Sequence, residues 1–473
     1  MFNMKKIITR FAPSPTGKLH IGNIRIALYS LLFAKKFNGK FLLRIENTNK
    51  LKCNDKYILD IINIMKWLKL NWDNKKIIFQ SERYNRYNYI LNKMLYNNKA
   101  YYCICNKDKL NNTKKIQISN KIKPKYDLSC RNKNINILHN KYVIRFKNPL
   151  NGNVIFNDLI FDKIIFNNNE LDDFIIKKTN GEYTYNFCVA IDDNDMKITH
   201  IIRGNDHISN TPKQINILKS INLKIPNYIH IPLILDKNKN KLSKNSDNYI
   251  DIFEYKKIGI IPEAILNYLF NLDFNKKNIL FIDDMIKNFS LKNINKSSNI
   301  FDEKRLFWIN KICIINLNVS IILKYIKKYI KEYKLNLKLN NKLLINIINV
   351  YKYRSNTLNE ILENSNYIYN ELLINKEYFF NKLNNTKLVR FIFNLKKNIL
   401  KIKDWNEYNI KNTINNSINK DFILKDIYEL LRILLTGKIN NTPEISNIIY
   451  ILGKKKFSLR INKIKSVRED LNL

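Results

Sequence analysis

The chain has 473 residues, 45% of them hydrophobic, which is too many for one ordinary core and suggests roughly three or four domains. No apolar run approaches the roughly 18 residues that a membrane span needs, and six cysteines are too sparse for a disulfide scaffold, so reduced thiols are expected. The net charge of +43, from 83 basic and 40 acidic residues, points to a polyanion, nucleic acid first, although an AT-rich genome also enriches Lys, Asn and Ile whatever the function.

The amino terminus runs at once into a strand over Lys6–Ala12, leaving no room for a secretory signal and giving a cytoplasmic expectation. A loop with Pro13, Pro15 and Gly17 leads to His20, after which Ile24, Ala27, Leu28, Leu31 and Leu32 fall at helical spacing and predict one buried stripe. Lys40–Glu46 reads as the next strand. This strand, loop, helix, strand order is a βαβ unit, whose loop-to-helix junction offers free backbone N–H groups to a phosphate. From about Tyr101 to Asn186 short β-like runs, Lys141–Phe146 and Asn153–Phe161 among them, predict an inserted α+β domain. Parallel-sheet character returns at Thr199–Arg203 and Ile229–Leu235. From roughly Ser320 onward, apolar residues at spacings of three and four, with few glycines, predict an all-helical domain. No internal repeat of fixed period is visible.

Two segments carry chemistry. RFAPSPTGKLHIGN (Arg10–Asn23) puts a His at a helix start, where it can donate to a phosphate oxygen beside the positive end of the helix dipole, and Gly22 permits close approach to the backbone. KLSKN (Lys241–Asn245), after PLILDKNKN, is similar to the KLSKR of a known family of ATP-using enzymes, a resemblance that implies Lys241 and Lys244 meet the charge that develops on a leaving pyrophosphate. Alone, HIGN is a loop histidine before a helix and KLSKN a solvated lysine-rich loop. Together, in this order, they resemble the two ATP-binding signatures of class I aminoacyl-tRNA synthetases, and the surrounding residues resemble the glutamyl-tRNA synthetases. THIIRGNDHISNTPKQINIL, GIIPEAILNYL, FDEKRLFWIN, RSNTL and LRILLTGK extend the resemblance from Ile8 to the end of the chain.

The resemblance implies an α/β fold: a Rossmann-type nucleotide-binding catalytic domain with an α+β insertion, followed by an all-α carboxyl-terminal anticodon-binding domain. The expected ranges are 1–100 and 187–245 for the two catalytic halves, 101–186 for the inserted acceptor-binding domain, 246–319 for a stem-contact helical domain and 320–473 for the anticodon domain. It implies glutamate–tRNA ligase activity with ATP and Mg²⁺, and L-glutamate and tRNA(Glu) as partners, with no membrane and a monomer. His20, Lys241 and Lys244 are the expected catalytic residues. ATP is expected on His20, Gly22, Asp206, Ile234, Lys241, Leu242, Ser243 and Lys244. Arg10 and Arg203, with Tyr185, are expected at the glutamate γ-carboxylate, Glu46 at its ammonium, and Ser14 nearby. A forked guanidinium reads a carboxylate bidentately, and an amide would leave that cation unpaired. The bland alternative makes Arg10 and Glu46 a structural ion pair between strand ends.

Arg354 falls where the family reads the anticodon, or is an ordinary helix-end charge. Cys103, Cys105 and Cys130 resemble three ligands of a zinc site in some relatives, but a structural zinc wants four. Asn132 stands in the fourth place and His139 is a candidate substitute whose position the sequence does not give, so zinc stays open with the metal-free reading preferred. Asp192, Asp193 and Asp195 read as structural or tRNA-facing rather than metal-binding. Asn23 replaces the second His of the usual signature at a position that already varies in the glutamate branch, Asn245 replaces the usual Arg and leaves that position's contribution open, and Asn47, Asn49 and Asn205 replace acids, where weakened secondary contacts are expected. Two rivals remain: a tRNA-binding protein that has lost catalysis, and a paralogue that glutamylates a tRNA base but lacks the helical domain.

Overall fold

The computed structural model describes residues 6–49, 53–135, 141–241, 251–276, 278–337, 339–372, 385–418, 424–438 and 442–470, the last with side chains to 464. The chain forms two compact units, residues 1–254 with 265–303, and residues 255–264 with 304–473. No helix among the described residues is long and apolar enough to cross a membrane.

In the first unit β1 (Ile8–Phe11), α1 (Ile21–Lys36) and β2 (Lys40–Ile45) make the expected βαβ unit, with β1 and β2 parallel in the register Arg10 to Leu42. Gly39 makes the α1 to β2 turn possible, because a Cβ there would lie 2.2 Å from the Ile7 carbonyl oxygen. The chain continues through α2 (Asp55–Trp67) to β3 (Ile78–Phe79), which extends the parallel sheet beside β2. Then come α3 (Tyr84–Tyr96), β4 (Ala100–Cys103), α4 (Lys107–Ser119) and β5 (Val143–Phe146). β6 (Asn153–Asp158) and β7 (Asp162–Asn167) form an antiparallel hairpin, and β8 (Ile175–Lys177) pairs with β5.

α5 (Tyr185–Asp195), β9 (His200–Gly204), α6 (Thr211–Ser220) and β10 (Asn227–Ile231) complete the parallel core. The second sheet runs β7-β6-β10-β9, with β10 parallel to both β6 and β9. β9 lies against β1, where the Thr199 amide donates to the Ile8 carbonyl at 2.9 Å and the Ile8 amide donates to the Thr199 hydroxyl at 2.8 Å.

Three sequence expectations change in the structure. The run Asn153–Phe161 is a strand that ends at Asp158, whose Oδ1 accepts the amides of Ile160 and Phe161 at 2.9 and 2.8 Å and turns the chain into β7. The run Ile229–Leu235 is broken at Pro232, which has no amide for a ladder, into β10 and β11 (Ile234–Leu235). α1 is buried on nearly every side rather than on one stripe, Arg25, Tyr29 and Ser30 included. Two of its polar side chains are met by residues far along the chain: Arg25 reaches the Pro232 carbonyl at 2.9 Å and Asp273 at 2.6 Å, and the Tyr29 hydroxyl also meets Asp273.

The second unit has no strand among its described residues. Its helices include Val319–Glu332, Asn341–Tyr351, Leu358–Asn364, Thr386–Leu400 and Glu407–Ser417. Ile322, Ile326 and Tyr329 show the three-and-four spacing that buries one face. The abundance of Asn has a local use here: Asn318, Asn340, Asn385 and Asn406 each sit before a helix and accept one of its unpaired first-turn amides.

Candidate active site

A cleft of about 260 Å³ opens at the carboxyl ends of β1, β9 and β10, the position where open parallel sheets bind ligands. Arg10, Ser14, His20, Gly22, Glu46, Tyr185, Arg203, Asp206, Ile234 and Lys241 all line it. Of the expected site residues, Leu242, Ser243 and Lys244 lie outside the described residues, as do Asn245 and His139. Arg354 belongs to the second unit, where it is exposed, with one guanidinium nitrogen 3.4 Å from the Thr442 carbonyl.

His20 occupies the position immediately before α1, in extended backbone. Its amide donates to Oδ1 of Asn23 at 3.2 Å, so the residue that departs from the family signature closes the first turn of the helix. The imidazole lies directly over Gly22, where a Cβ would come within 3.0 Å of the ring.

Arg10, Arg44, Glu46 and Asp193 form a buried network that the sequence did not disclose. Arg10 donates through Nε to Asp193 at 3.0 Å and through Nη1 to the Ile202 carbonyl at 3.2 Å, while Arg44 donates to Asp193 at 2.6 Å and to Glu46 at 2.9 Å. Arg10 and Glu46 therefore each have another partner, Asp193 and Arg44, in place of the direct pair considered from the sequence. Burial raises the Glu46 carboxyl above its ordinary value, with Arg44 offsetting part of the effect. Burial works in the same direction on Asp193, but Arg10 and Arg44 outweigh it and hold that carboxyl below its ordinary value. The one available signal was Arg44, a charge inside the apolar run that follows Lys40 in the strand KFLLRI.

The neighbouring acids are also paired: Asp192 accepts from Gln80, Arg83 and Tyr87, and Asp195 from Arg83 and Arg86. On the other wall Arg203 donates to Gln214 at 2.8 Å and Thr211 at 2.7 Å, and the Tyr185 hydroxyl lies 3.2 Å from Nδ1 of His207. Burial, followed by the charge of Arg203, drives His207 down to about 4, so it is neutral near pH 7. Lys241 meets Asp206 at 2.5 Å. Burial would raise the Asp206 carboxyl, yet the Lys241 hydrogen bond and neighbouring positive charge bring it below its ordinary value.

Outside the cleft, Cys103, Cys105 and Cys130 bring their sulfurs within 4.8 Å of one another, with 3.5 Å between Cys105 and Cys130. A Zn–S bond of about 2.3 Å gives a tetrahedral S···S edge of roughly 3.8 Å, so the thiols suit three corners of a zinc site. Among the described residues no further Cys, His or carboxylate joins them. The Tyr126 hydroxyl sits against Cys103 at 3.3 Å and Cys105 at 3.6 Å.

The chain matches the family model "tRNA synthetases class I (E and Q), catalytic domain" over residues 6–308 and "Anticodon binding domain" over residues 322–465. It is 44% identical over 470 residues to the glutamate–tRNA ligase of Buchnera aphidicola subsp. Acyrthosiphon pisum, covering 98% of this chain and 100% of that one. The chain belongs to the glutamate–tRNA ligase family. A second glutamate–tRNA ligase, from Wigglesworthia glossinidia brevipalpis, is also 44% identical, over 98% of this chain and 99% of its own. The crystal structure of a glutamate tRNA ligase from Elizabethkingia meningosepticum in complex with its amino acid superposes with a TM-score of 0.84 at 27% identity, covering 98% and 99% of the two chains. The fold is thus a class I catalytic domain followed by a helical anticodon domain. As aminoacyl-tRNA synthetases, members of the glutamate–tRNA ligase family use ATP with Mg²⁺.

Proposed function

We propose that this chain is a glutamate–tRNA ligase in which the cleft beneath α1 performs both half-reactions. A carboxylate oxygen of glutamate attacks the α-phosphorus of ATP and pyrophosphate leaves; the 2′-hydroxyl of the terminal tRNA ribose then attacks the acyl carbon and AMP leaves. No protein nucleophile is needed, so positioning and electrostatics supply the catalysis. The observation that carries the reading is the meeting of His20, Arg10, Arg203 and Glu46 in one cleft of a chain 44% identical to a glutamate–tRNA ligase over its whole length.

Arg10 and Arg203, with Tyr185, are assigned to the γ-carboxylate and Glu46 to the ammonium, with Ser14 beside them. His20 and Gly22 are assigned to the phosphates, and Asp206 and Ile234 to the rest of ATP. Lys241 would exchange Asp206 for phosphate when ATP binds, joined by Leu242, Ser243 and Lys244. Residues 101–186 are assigned to the acceptor end, 246–319 to the stem and 320–473 to the anticodon, with Arg354 among the anticodon contacts. The charge of +43 suits a polyanionic partner. A cytoplasmic monomer is the proposed state, with the three thiols reduced.

Aminoacylation with labelled glutamate tests the reading on purified tRNA(Glu) and tRNA(Gln) at identical salt. Charging of tRNA(Glu) is expected; charging of both would make the enzyme non-discriminating. Charging of neither, with tRNA still bound, refutes ligase activity and leaves a tRNA-binding protein.

A further inference from the structure

The carboxylate-facing Arg203 is held from behind by a chain of buried polar groups that reaches it from two other strands. β9 and β10 are in register with His230 opposite Arg203, and β10 pairs with β6 with Tyr228 opposite Asp158. Nε of Arg203 donates to Nε2 of His230 at 3.1 Å, and Nδ1 of His230 lies 2.8 Å from Oδ2 of Asp158. Both His230 and the Asp158 side chain are fully buried. An arginine can only donate, so Nε2 of His230 carries the lone pair and Nδ1 carries the proton, which Asp158 accepts. Asp158 is itself fixed by three backbone amides: Ile160 at 2.9 Å, Phe161 at 2.8 Å and His230 at 3.0 Å.

The hydroxyl of Thr211 completes the arrangement. It accepts from Arg203 at 2.7 Å and lies 3.1 Å from Nε2 of His230. A guanidinium has five N–H groups. His230, Gln214 and Thr211 each take one, from three different nitrogens, which leaves one on each terminal nitrogen. Two donors on adjacent nitrogens are the fork that a carboxylate accepts bidentately. Neutrality of His230 matters to this geometry, because a second proton on Nε2 would face the Arg203 donor. Burial depresses the imidazole, and the Arg203 charge adds to that effect against the opposing pull of Asp158.

We propose that the Asp158–His230 pair is a positioning device for glutamate selection: it locks one imidazole tautomer, which orients the Arg203 fork toward the substrate carboxylate. The inference rests on the assignment of Arg203 to that carboxylate. His230 touches no substrate in this scheme, so it is a positioning residue and acts through Arg203.

The test uses the full chain in pyrophosphate exchange with tRNA present, varying glutamate and ATP in turn. His230→Leu leaves a buried Arg203 N–H unpaired and is expected to raise KM for glutamate about 10-fold or more, with KM for ATP within about twofold. His230→Gln, whose amide oxygen can accept from Arg203, is expected to recover most of that loss. Equal rises in both KM values, or no recovery by Gln, overturn the positioning role in favour of general support of the fold. Arg203→Ala is measured beside them. An unchanged glutamate KM in Arg203→Ala overturns the underlying assignment, whereas a raised value there with an unchanged one in His230→Leu overturns the positioning role alone. Should His230→Leu fail to fold, Asp158→Asn makes the same comparison: about a threefold rise confined to glutamate is expected, and no rise refutes the proposal.

Discussion

Asp193→Asn would disturb the Arg10 wall of the cleft through a residue that is not itself assigned to substrate. In the native chain the Asp193 carboxylate accepts from Arg10 at 3.0 and 3.4 Å and from Arg44 at 2.6 Å, all three side chains being buried. The amide keeps one acceptor oxygen but removes the negative charge that balances two guanidinium groups. Removing one partner of a buried ionic network costs about 3–5 kcal/mol, because the remaining charge stays desolvated. With a urea dependence of roughly 3 kcal/mol per molar for a unit of this size, the unfolding midpoint should fall by about 1–2 M. Trp67 and Trp72 report this unit by fluorescence once Trp308 and Trp405, in the other unit, are replaced by Phe.

The pH dependence of that loss has a definite sign. The Asp193 carboxyl is held below its ordinary value of 3.8, burial opposing and Arg10 and Arg44 prevailing. A depressed carboxyl contributes its stability above the unfolded value and loses it as pH falls through the folded one. The gap between wild type and Asp193→Asn should therefore be whole at about pH 7 and pH 5 and narrow only below about 3.8. Arg10, freed from its anchor, should also lose register with the substrate, lowering kcat/KM for glutamate by about 10²-fold. Equal midpoints for the two proteins at pH 7 would refute the reasoning, as would a gap that closes between pH 7 and pH 5.

Three further outcomes are expected. His20→Ala should lower turnover by about 10²- to 10³-fold with tRNA affinity little changed; Gly22→Ala should cost about 10-fold in the adenylation step by displacing the ring 3.0 Å from the new methyl, and an unchanged rate would remove the imidazole from that step. Among the three clustered thiols Cys105 should be alkylated first by iodoacetamide at pH 7.5, with peptide mass mapping as the readout. Burial opposes its ionisation, but hydrogen bonds from Ser129, Tyr126, Cys130 and Cys103 bring it down to about 7, while burial raises Cys103. Equal labelling of Cys105 and Cys103 would contradict this, and protection of all three that a chelator reverses would reveal a bound metal.

The local layout of the chain is legible in its residues alone. Strand β1, helix α1 and strand β2 follow from alternating and three-and-four periodicities, which are properties of neighbouring residues. The motifs around His20, Arg203 and Lys241 single out side chains that line one cleft, because a chemical task constrains residue type and spacing together. Partnerships across the chain are not legible in this way. Arg10 pairs with Asp193 from 183 residues away, Asp158 reaches His230 across 72, and Asp273 satisfies Arg25 across 248. A buried charge must find an opposite charge or a hydrogen bond, but desolvation demands only that a partner exist, not where in the sequence it lies. The helix α1 shows the consequence. Its apolar spacing predicts a stripe, and only the packing of Asp273 and the Pro232 carbonyl against Arg25 and Tyr29 allows the remaining faces to be buried as well.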